Sequence, residues 1–249
     1  RLTPRLDPCQ QTIGWRISAP GHPRTQRDAH GNLMHTLTLT SPHKEIALVV
    51  DGEVETLDTP ILLPRGDDVS PLAYLADSPL ATPDDAIGEF AAAFKGQGAS
   101  RRLVMQLMES VAEVIDYQTG STAVHHTAAE VFAQRLGVCQ DLAHVFIATS
   151  RTLGIPARYV SGYLHTEDEH VASHAWVDVW LGEENGWLAC DVTHNRLAYG
   201  QFCRLAVGRD YLDASPVRGM RRGGLGEAME VRVTVTDSRQ AMQQAQAQQ

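Results

Sequence analysis

The most constraining feature of this sequence is a segment, residues 138–153, that is apolar on nearly every side of a predicted helix. Its apolar positions include Leu142, Ala143, Val145, Phe146, Ile147 and Ala148. A helix without a polar face is stable only when other elements surround it, and Gly154 followed by Pro156 marks its end. The segment therefore predicts the central helix of a domain.

Three strand-like segments follow this helix, at residues 157–164, 173–181 and 186–192. Residues 182–186, between the last two, are typical of a hairpin loop because a glycine stands at each end of a short polar run. A helix followed by strands that a hairpin joins predicts an α+β fold, with the helix packed against an antiparallel sheet. This α+β arrangement is the fold class that we expect.

The N-terminal part of the chain has a different composition. Residues 1–60 predict a β-rich domain, because residues 33–40 and 45–50 are strand-like and residues 28–32 have turn chemistry. Residues 61–83 are rich in proline, which predicts an extended linker rather than a helix or a central strand.

Residues 84–200 predict the core domain itself. Before the central helix it contains three further helical segments, at residues 84–94, 101–117 and 127–136. The third begins with a capping box, Thr127 to Glu130. Residues 201–238 predict an extension that ends in a closing strand at residues 230–236, and residues 239–249 form a Gln/Ala tail.

Charge and hydropathy exclude several classes of partner. The net charge is −9 and the basic residues do not cluster, which argues against nucleic acid. The longest aliphatic run, residues 46–50, is far shorter than the ~20 residues of a membrane helix, so we expect no membrane partner.

Four cysteines without a Cys-x-x-Cys pair predict free thiols and a cytoplasmic location. The chain begins with Arg1, so a removed signal sequence stays open, and no oligomeric state is predicted.

Cys139 is the candidate nucleophile because it stands at the start of the predicted central helix. The free amides and the positive dipole end there favour a thiolate, which is the nucleophilic form. Gly137 allows a sharp turn before it and the close approach of a substrate backbone. The position alone also fits a small buried hydrophobic residue, so the hypothesis needs a second group.

His174 and Asp191 supply that second group. Alternation along residues 173–181 places His174 and Trp176 opposite the aliphatic face, and alternation along residues 186–192 places Asp191 on the same side as them. Pairing across the hairpin can bring the carboxylate beside the imidazole, although a solvated His–Asp pair fits the pattern as well. Thiol, imidazole and carboxylate are the groups that acyl transfer at an amide requires.

Several ordered blocks of the sequence closely resemble the bacterial transglutaminase-like superfamily over residues 85–195. They lie at residues 127–130 (TAAE), 137–144 (GVCQDLAH), 153–163 (LGIPARYVSGY), 173–176 (SHAW) and 186–193 (GWLACDVT). Members of this superfamily are papain-like in fold and are often described as candidate cysteine proteases. The resemblance implies that Cys139 is the nucleophile, His174 the base and Asp191 the acid that orients the base.

The flanking regions resemble one bacterial branch of the same superfamily. Residues 28–32 and 41–43 resemble its β-rich N-terminal domain, whose first strand we expect to be truncated here, and residues 208–211 and 215–219 resemble its C-terminal extension. One departure follows Asp191, where Val-Thr-His replaces the usual Pro-Thr-Asn. We expect this change to leave the carboxylate in place and to loosen the following turn.

The expected activity is hydrolysis of an amide or peptide substrate through a thioester on Cys139, without a metal or an organic cofactor. Calcium dependence is not expected either, since no Asp-x-Asp-x-Asp loop occurs. Three alternatives stay open. They are an acyltransferase (a transglutaminase or an arylamine acetyltransferase-like enzyme), a non-catalytic binding scaffold and a metal-binding module.

Other polar residues near these positions have separate assignments. Gln140 and Trp176 are further candidates for the oxyanion site or the cleft. Asp141 and His144, three residues apart on the central helix, are predicted to hydrogen-bond each other. Arg158 is predicted to be a structural ion-pair partner rather than a substrate clamp.

Cys190 faces the aliphatic side of its strand and is predicted to be an inert core thiol. The adjacent His125 and His126 would need His144 or His170 to hold a metal ion. We predict no metal there, because adjacent histidine side chains are expected to diverge and no pair of ligands is spaced i,i+4.

Residues 159–195 contain no Lys or Arg and carry a formal charge of −7. The acidic residues are Glu167, Asp168, Glu169, Asp178, Glu183, Glu184 and Asp191. Solvated loop tips explain this pattern. A sharper hypothesis is that the field favours the imidazolium of His174 and repels strongly anionic substrates.

Overall fold

The structure is a computed structural model that describes residues 1–63, 69–166, 173–223 and 228–237. Among these residues, no helix is both long enough and apolar enough to cross a membrane. The strands are β1 (Gln10–Ser18), β2 (Arg24–Arg27), β3 (Leu33–Thr36), β4 (Val49–Thr56), β5 (Ile61–Leu62), β6 (Asp116–Tyr117), β7 (Leu136–Gly137), β8 (Ala157–Leu164), β9 (Ser173–Trp180), β10 (Trp187–Asp191), β11 (Arg196–Leu197) and β12 (Phe202–Gly208). The helices are α1 (Asp85–Ala92), α2 (Arg101–Val114), α3 (Ala128–Gln134), α4 (Cys139–Thr152) and α5 (Tyr211–Ala214), and a 3₁₀ helix spans Pro71–Leu75.

The centre of the molecule is an antiparallel sheet with the strand order β11-β10-β9-β8-β12, and β5 also pairs with β10. Helix α4 packs against one face along β8 and β9, and α1, α2 and α3 pack against α4 in turn. From Asp141 to Arg151 every residue of α4 is buried, as its apolar pattern predicted. This confirms the α+β fold with a central helix against an antiparallel sheet.

The two faces of the sheet carry different side chains, as the alternation predicted. Ala175, Val177 and Val179 of β9 join the aliphatic core under α4. Trp176 and Trp180 belong to a second, aromatic core on the other face. The two sets occupy alternate positions of the strand, because successive side chains point to opposite faces.

Two predicted strands are wrong. Residues 230–236 form no strand in the described range, and Val231 there is 62% exposed. Instead β12, which was not predicted, pairs with β8 and forms that edge of the sheet. The strand expected at residues 45–50 begins only at Val49 and continues to Thr56, because β4 takes its register from β1.

The structure differs from the prediction for the proline-rich linker and agrees with the prediction for the N-terminal turn. The proline-rich segment is not extended throughout, because Pro71 begins the 3₁₀ helix. Its first two residues are extended and pair with β10 as β5. The predicted turn at residues 28–32 is confirmed as the loop of the β2–β3 hairpin, in which Gly31 has φ of +75°.

A buried ion network joins the N-terminal segment to the second face of the sheet. It consists of Arg5, Asp7, Arg158, Asp178 and Arg204, each with a side chain at most 7% exposed. Asp178 accepts hydrogen bonds from Nε of Arg158 at 2.8 Å and from Nη1 of Arg204 at 3.0 Å. Asp7 accepts from Nε of Arg204 at 2.8 Å and from Nε of Arg5 at 2.9 Å.

The electrostatics of this network fit its burial. Burial alone would raise the pKa of Asp7, but the charges of Arg204 and Arg5 outweigh it and lower that pKa. The guanidinium of Arg158 also lies 4.2 Å from the centre of the Trp187 ring. Through Arg5 and Asp7, the N-terminal segment therefore packs against the second face of the sheet.

Gly162 of β8 is a position where no side chain fits. A Cβ atom there would lie 2.1 Å from the backbone oxygen of Cys203 and 2.5 Å from the ring of Trp176. We expect Gly162→Ala to lower the free energy of unfolding by roughly 1–3 kcal/mol, measured by urea unfolding. Gly88→Ala on α1 is the control, because a Cβ atom there would meet no neighbouring group within 4 Å. Equal stabilities of the two variants would contradict this packing.

Candidate active site

Cys139 is the first residue of α4, and its neighbours hold the start of this helix in place. The carboxylate of Asp141 accepts a hydrogen bond from the backbone N–H of Val138 at 2.9 Å and another from the hydroxyl of Thr122 at 2.6 Å. A Cβ atom on Gly137 would lie 2.8 Å from Cβ of Asp141. The glycine is therefore required for this close approach, which leaves the half-buried thiol at the positive end of the helix dipole.

His174 and Asp191 come together through the register of the β9–β10 hairpin. Cys190 pairs with Val177, which places Asp191 diagonally across from His174. Nε2 of His174 lies 2.9 Å from Oδ1 of Asp191, and both side chains are almost completely buried. The structure therefore brings together the imidazole and the carboxylate that the sequence singled out.

Burial and hydrogen bonding set the charges of this pair. Burial opposes ionisation of Asp191, but hydrogen bonds from His174 and His194 outweigh it and lower the pKa of the carboxyl. Burial also opposes the charged form of His174, but Asp191 and then Cys139 stabilise it and raise its pKa to about 9. The pair is therefore an imidazolium and a carboxylate at neutral pH.

The second nitrogen of His174 is left for the thiol. Because Nε2 faces Asp191, only Nδ1 can interact with Cys139. Within the described residues, Nδ1 has no hydrogen bond of regular geometry. The thiol of Cys139 is nevertheless close enough to raise the pKa of His174. We take the two as close neighbours without an aligned hydrogen bond, which is common in sites without substrate.

A second imidazole, that of His194, contacts Asp191 and was not among the predicted site residues. Its Nδ1 lies 2.6 Å from Oδ2 of the carboxylate, and its ring centre lies 5.2 Å from that of His174. The side chain is 40% exposed. The signal in the sequence was the departure after Asp191, where histidine stands in place of the usual asparagine.

The same three residues are close enough to be considered for a metal ion. Within the described ranges, the ligand atoms of His174, Asp191 and His194 lie within 4.8 Å of one another. Each imidazole nitrogen, however, faces a different carboxylate oxygen at hydrogen-bond distance. One hydrogen bond from each imidazole to the carboxylate therefore accounts for these contacts, and a metal ion is not needed to explain them.

The histidines that were considered as metal ligands in the sequence lie elsewhere. The rings of His125 and His126 do not diverge as predicted but stack, with centres 5.3 Å apart. They belong to no group of three close ligand atoms among the described residues. The Nε2 atom of His144 accepts a hydrogen bond from the backbone N–H of Tyr211, and His170 lies outside the described residues.

Gln140 and Trp176 occupy different places. Nε2 of Gln140 donates to the backbone oxygen of Val124 at 3.1 Å, which holds the preceding loop against the start of α4 beside Cys139. Trp176 is completely buried on the other face of the sheet, with its ring centre 6.3 Å from that of His174. Trp176 therefore lies beside the base on the same face of the sheet, whereas Gln140 holds the loop that precedes Cys139.

The predicted hydrogen bond between Asp141 and His144 is wrong. The carboxylate of Asp141 accepts hydrogen bonds instead from the backbone N–H of Val138, which directly precedes α4, and from the hydroxyl of Thr122. His144 lies in the core, where burial lowers its pKa to about 3 and keeps the ring neutral. For the carboxylate of Asp141, a backbone N–H at the start of the helix is a better partner than the neutral imidazole of His144. The two side chains therefore do not bond to each other.

Two structural assignments from the sequence are confirmed. Arg158 is a partner in the buried ion network, where it contacts Asp178. Cys190 lies in the aliphatic core, and burial raises the pKa of its thiol well above the ordinary value.

Four of the seven acidic residues of this stretch lie in the described part of the chain, and two of these four contact basic side chains. Asp178 is paired with two arginines, and Asp191 is hydrogen-bonded to two histidines. Glu183 and Glu184 are exposed in the β9–β10 loop, as solvated loop tips would be. Residues 167–169 lie outside the described residues.

Two family descriptions match the sequence. Residues 89–192 match the transglutaminase-like superfamily, a range that contains Cys139, His174 and Asp191. Residues 1–55 match the bacterial transglutaminase-like N-terminal region.

Relatives of known sequence extend the match to nearly the whole chain. An uncharacterized protein of Mycobacterium leprae is 32% identical over 260 aligned residues, which cover 95% of this chain and 90% of that protein. A protein-glutamine gamma-glutamyltransferase of Pseudomonas aeruginosa is 33% identical over 108 residues, which cover 38% of this chain and 16% of that protein.

A solved structure agrees with the fold. It is that of a protein from Cytophaga hutchinsonii described as a candidate cysteine protease, with a TM-score of 0.68 and 22% identity. The match covers 86% of this chain and 76% of that one. At this identity the similarity shows a common fold.

Proposed function

The chain belongs to the transglutaminase-like superfamily, which includes cysteine protease-like and acyltransferase members, and on this premise we propose that it hydrolyses amide or peptide bonds with Cys139. The observation that carries the proposal is the buried contact of 2.9 Å between His174 and Asp191, with the other imidazole nitrogen left for the thiol. A peptide or another amide is the proposed substrate.

The first step forms a thioester. The proposed reactive form is a thiolate of Cys139 whose proton already resides on Nδ1 of the His174 imidazolium, and its sulfur forms a bond to the amide carbonyl carbon. As the C–N bond breaks, the imidazolium gives that proton to the leaving amine. Asp191 holds the ring in orientation and stabilises its positive charge.

The second step returns the free thiol. His174 removes a proton from a water molecule while the water oxygen forms a bond to the thioester carbonyl carbon. The C–S bond then breaks, the sulfur takes up the proton from His174, and a carboxylic acid leaves. Protein side chains and water supply all of the reacting groups in this scheme.

An acyltransferase is the second candidate, and the description of the Pseudomonas aeruginosa relative as a gamma-glutamyltransferase favours it. The first step would be the same. A primary amine would then replace water in the second step, and the product would be a new amide.

One experiment separates these functions. The full chain is incubated with a peptide library and a fluorescent primary amine, and the products are identified by mass spectrometry. We expect peptides with new carboxyl termini from the wild type and none from Cys139→Ser. Products that contain the amine and no hydrolysis would establish the acyltransferase instead. No reaction of the wild type would contradict both functions and favour a binding scaffold.

The pH dependence of the first step follows from His174. Departure of the amine requires the imidazolium, whose pKa of about 9 lies above the ordinary value of 6.5. The rate of the first step should therefore fall above about pH 9, measured as the burst of p-nitroaniline from an activated anilide. Asp191→Asn removes the charge that raises this pKa, so the alkaline limb should move down by roughly one pH unit or more. An unmoved limb would contradict the assignment of Asp191.

A further inference from the structure

We propose that His194 is a positioning residue of this site, because its Nδ1–H holds one oxygen of Asp191 and thereby keeps the other oxygen on His174. The inference rests on the proposed function, since it assigns His194 a part in orienting the same base. It concerns a residue that lies outside the Cys139, His174 and Asp191 set.

The protonation of the two imidazoles follows from the carboxylate. Asp191 is ionised, and an ionised carboxylate can only accept hydrogen bonds. Both facing nitrogens must therefore carry protons, which are Nε2–H of His174 and Nδ1–H of His194. Each proton binds a different oxygen, so the two rings hold the plane of the carboxylate from both ends.

No other described group replaces His194 at the second oxygen. Nε of Arg196 lies 3.6 Å from Oδ2, which is too long for a regular hydrogen bond. The backbone N–H of His194 reaches the other oxygen, Oδ1, at 3.4 Å. Without the imidazole donor, a completely buried oxygen would lose its short hydrogen bond, and the carboxylate would turn toward Arg196 and away from His174.

The charged and titratable groups around His174 and its carboxylate partner come from four segments in the described part of the chain. Cys139 lies beside His174 at the start of α4, Asp191 on β10 and His194 in the turn that follows β10. Arg196, on β11, contacts Asp191 rather than His174. Of these groups, Asp191 has the largest effect in favour of the imidazolium. A change in the orientation of Asp191 should therefore appear directly in the titration of His174.

Three substitutions at His194 separate the effect of the hydrogen bond from that of the histidine ring. In His194→Asn, the side-chain amide can donate from nearly the position of Nδ1. His194→Ala has no donor, and His194→Phe keeps the volume of the ring but also lacks a donor. His22→Asn changes an exposed histidine outside this site and is the control.

The test is an NMR titration of the imidazole nitrogens of His174 in the full chain. We expect His194→Asn and His22→Asn to keep the wild-type midpoint. His194→Ala and His194→Phe should each lower it by roughly one pH unit, toward the value in Asp191→Asn. If alanine prevents folding, phenylalanine gives the donor-free measurement.

Two results would overturn the inference. One is a wild-type midpoint in the donor-free variants, which would make His194 a bystander. The other is an equal fall in His194→Asn and His194→Ala, which would show that the amide donor does not replace the imidazole. Neither result depends on turnover. A wild type without hydrolase activity would contradict the proposed function, while the titration would still decide the role of His194.

Discussion

His174→Ala is expected to slow the alkylation of Cys139 by iodoacetamide at pH 6 by about 100-fold. A thiol with an ordinary pKa of ~8.5 is less than about 1% ionised at that pH. The wild type has the proposed base His174 beside Cys139, whereas the variant retains only the amides at the start of α4. The measurement is the rate of modification of each cysteine, followed by mass spectrometry between pH 5 and pH 9.

The other cysteines provide the internal control for this experiment. Cys190 is completely buried and should stay unmodified in both proteins as long as the fold is intact. Burial raises the pKa of Cys203 to about 12, so it should react slowly in both. If Cys139 reacts equally fast in the wild type and the variant, the ion pair is absent and the scaffold alternative gains support.

Asp178→Asn is expected to lower the free energy of unfolding by about 3–5 kcal/mol. The substitution keeps the shape of the side chain but leaves the buried guanidinium groups of Arg158 and Arg204 without their shared carboxylate. Removal of one partner from a buried ion pair costs more than the pair contributes, because the remaining charge stays desolvated. Urea or thermal unfolding measures the loss.

A matched control exists on the surface. Asp51 and Arg16 form an ion pair at 3.8 Å in which both side chains are more than three-quarters exposed. Asp51→Asn should change stability by less than about 1 kcal/mol, because water screens such a pair. If both variants lost similar free energy of unfolding, burial would not be the reason why the ion network around Asp178 matters for stability.

The parts of the fold that could be predicted were those with a local cause. The apolar positions of residues 138–153 predicted a central helix, and α4 spans Cys139–Thr152. The capping box at Thr127 is formed as the sequence indicated, with hydrogen bonds in both directions between Thr127 and Glu130. Period and cap are written in neighbouring residues, so no tertiary information was needed.

The strands at the edges could not be predicted in the same way. Residues 230–236 alternate as well as any strand does, yet β12 is the strand that pairs with β8. Alternation shows that a segment can form a strand, whereas the partner depends on which edge is free in the folded molecule.

The same limit applies to charged side chains. Arg204 and Asp7 form their ion pair across 197 positions of sequence, and no local pattern marks it. Asp141 and His144 are a case in which a local pattern was present but misleading. Their spacing on one helix favours a hydrogen bond between them, yet Asp141 bonds to the backbone N–H of Val138 instead.

By itself, the sequence determined the central helix, the two faces of the hairpin strands and the three residue types that can carry out thiol chemistry. These follow from periodicity and residue type, which act over a few positions. Only the tertiary structure decided that Asp191 contacts His174 and His194 at once, and that three arginines and two aspartates close the second face of the sheet. Those contacts depend on distances between strands and on shared burial, and both arise only when the whole chain has packed.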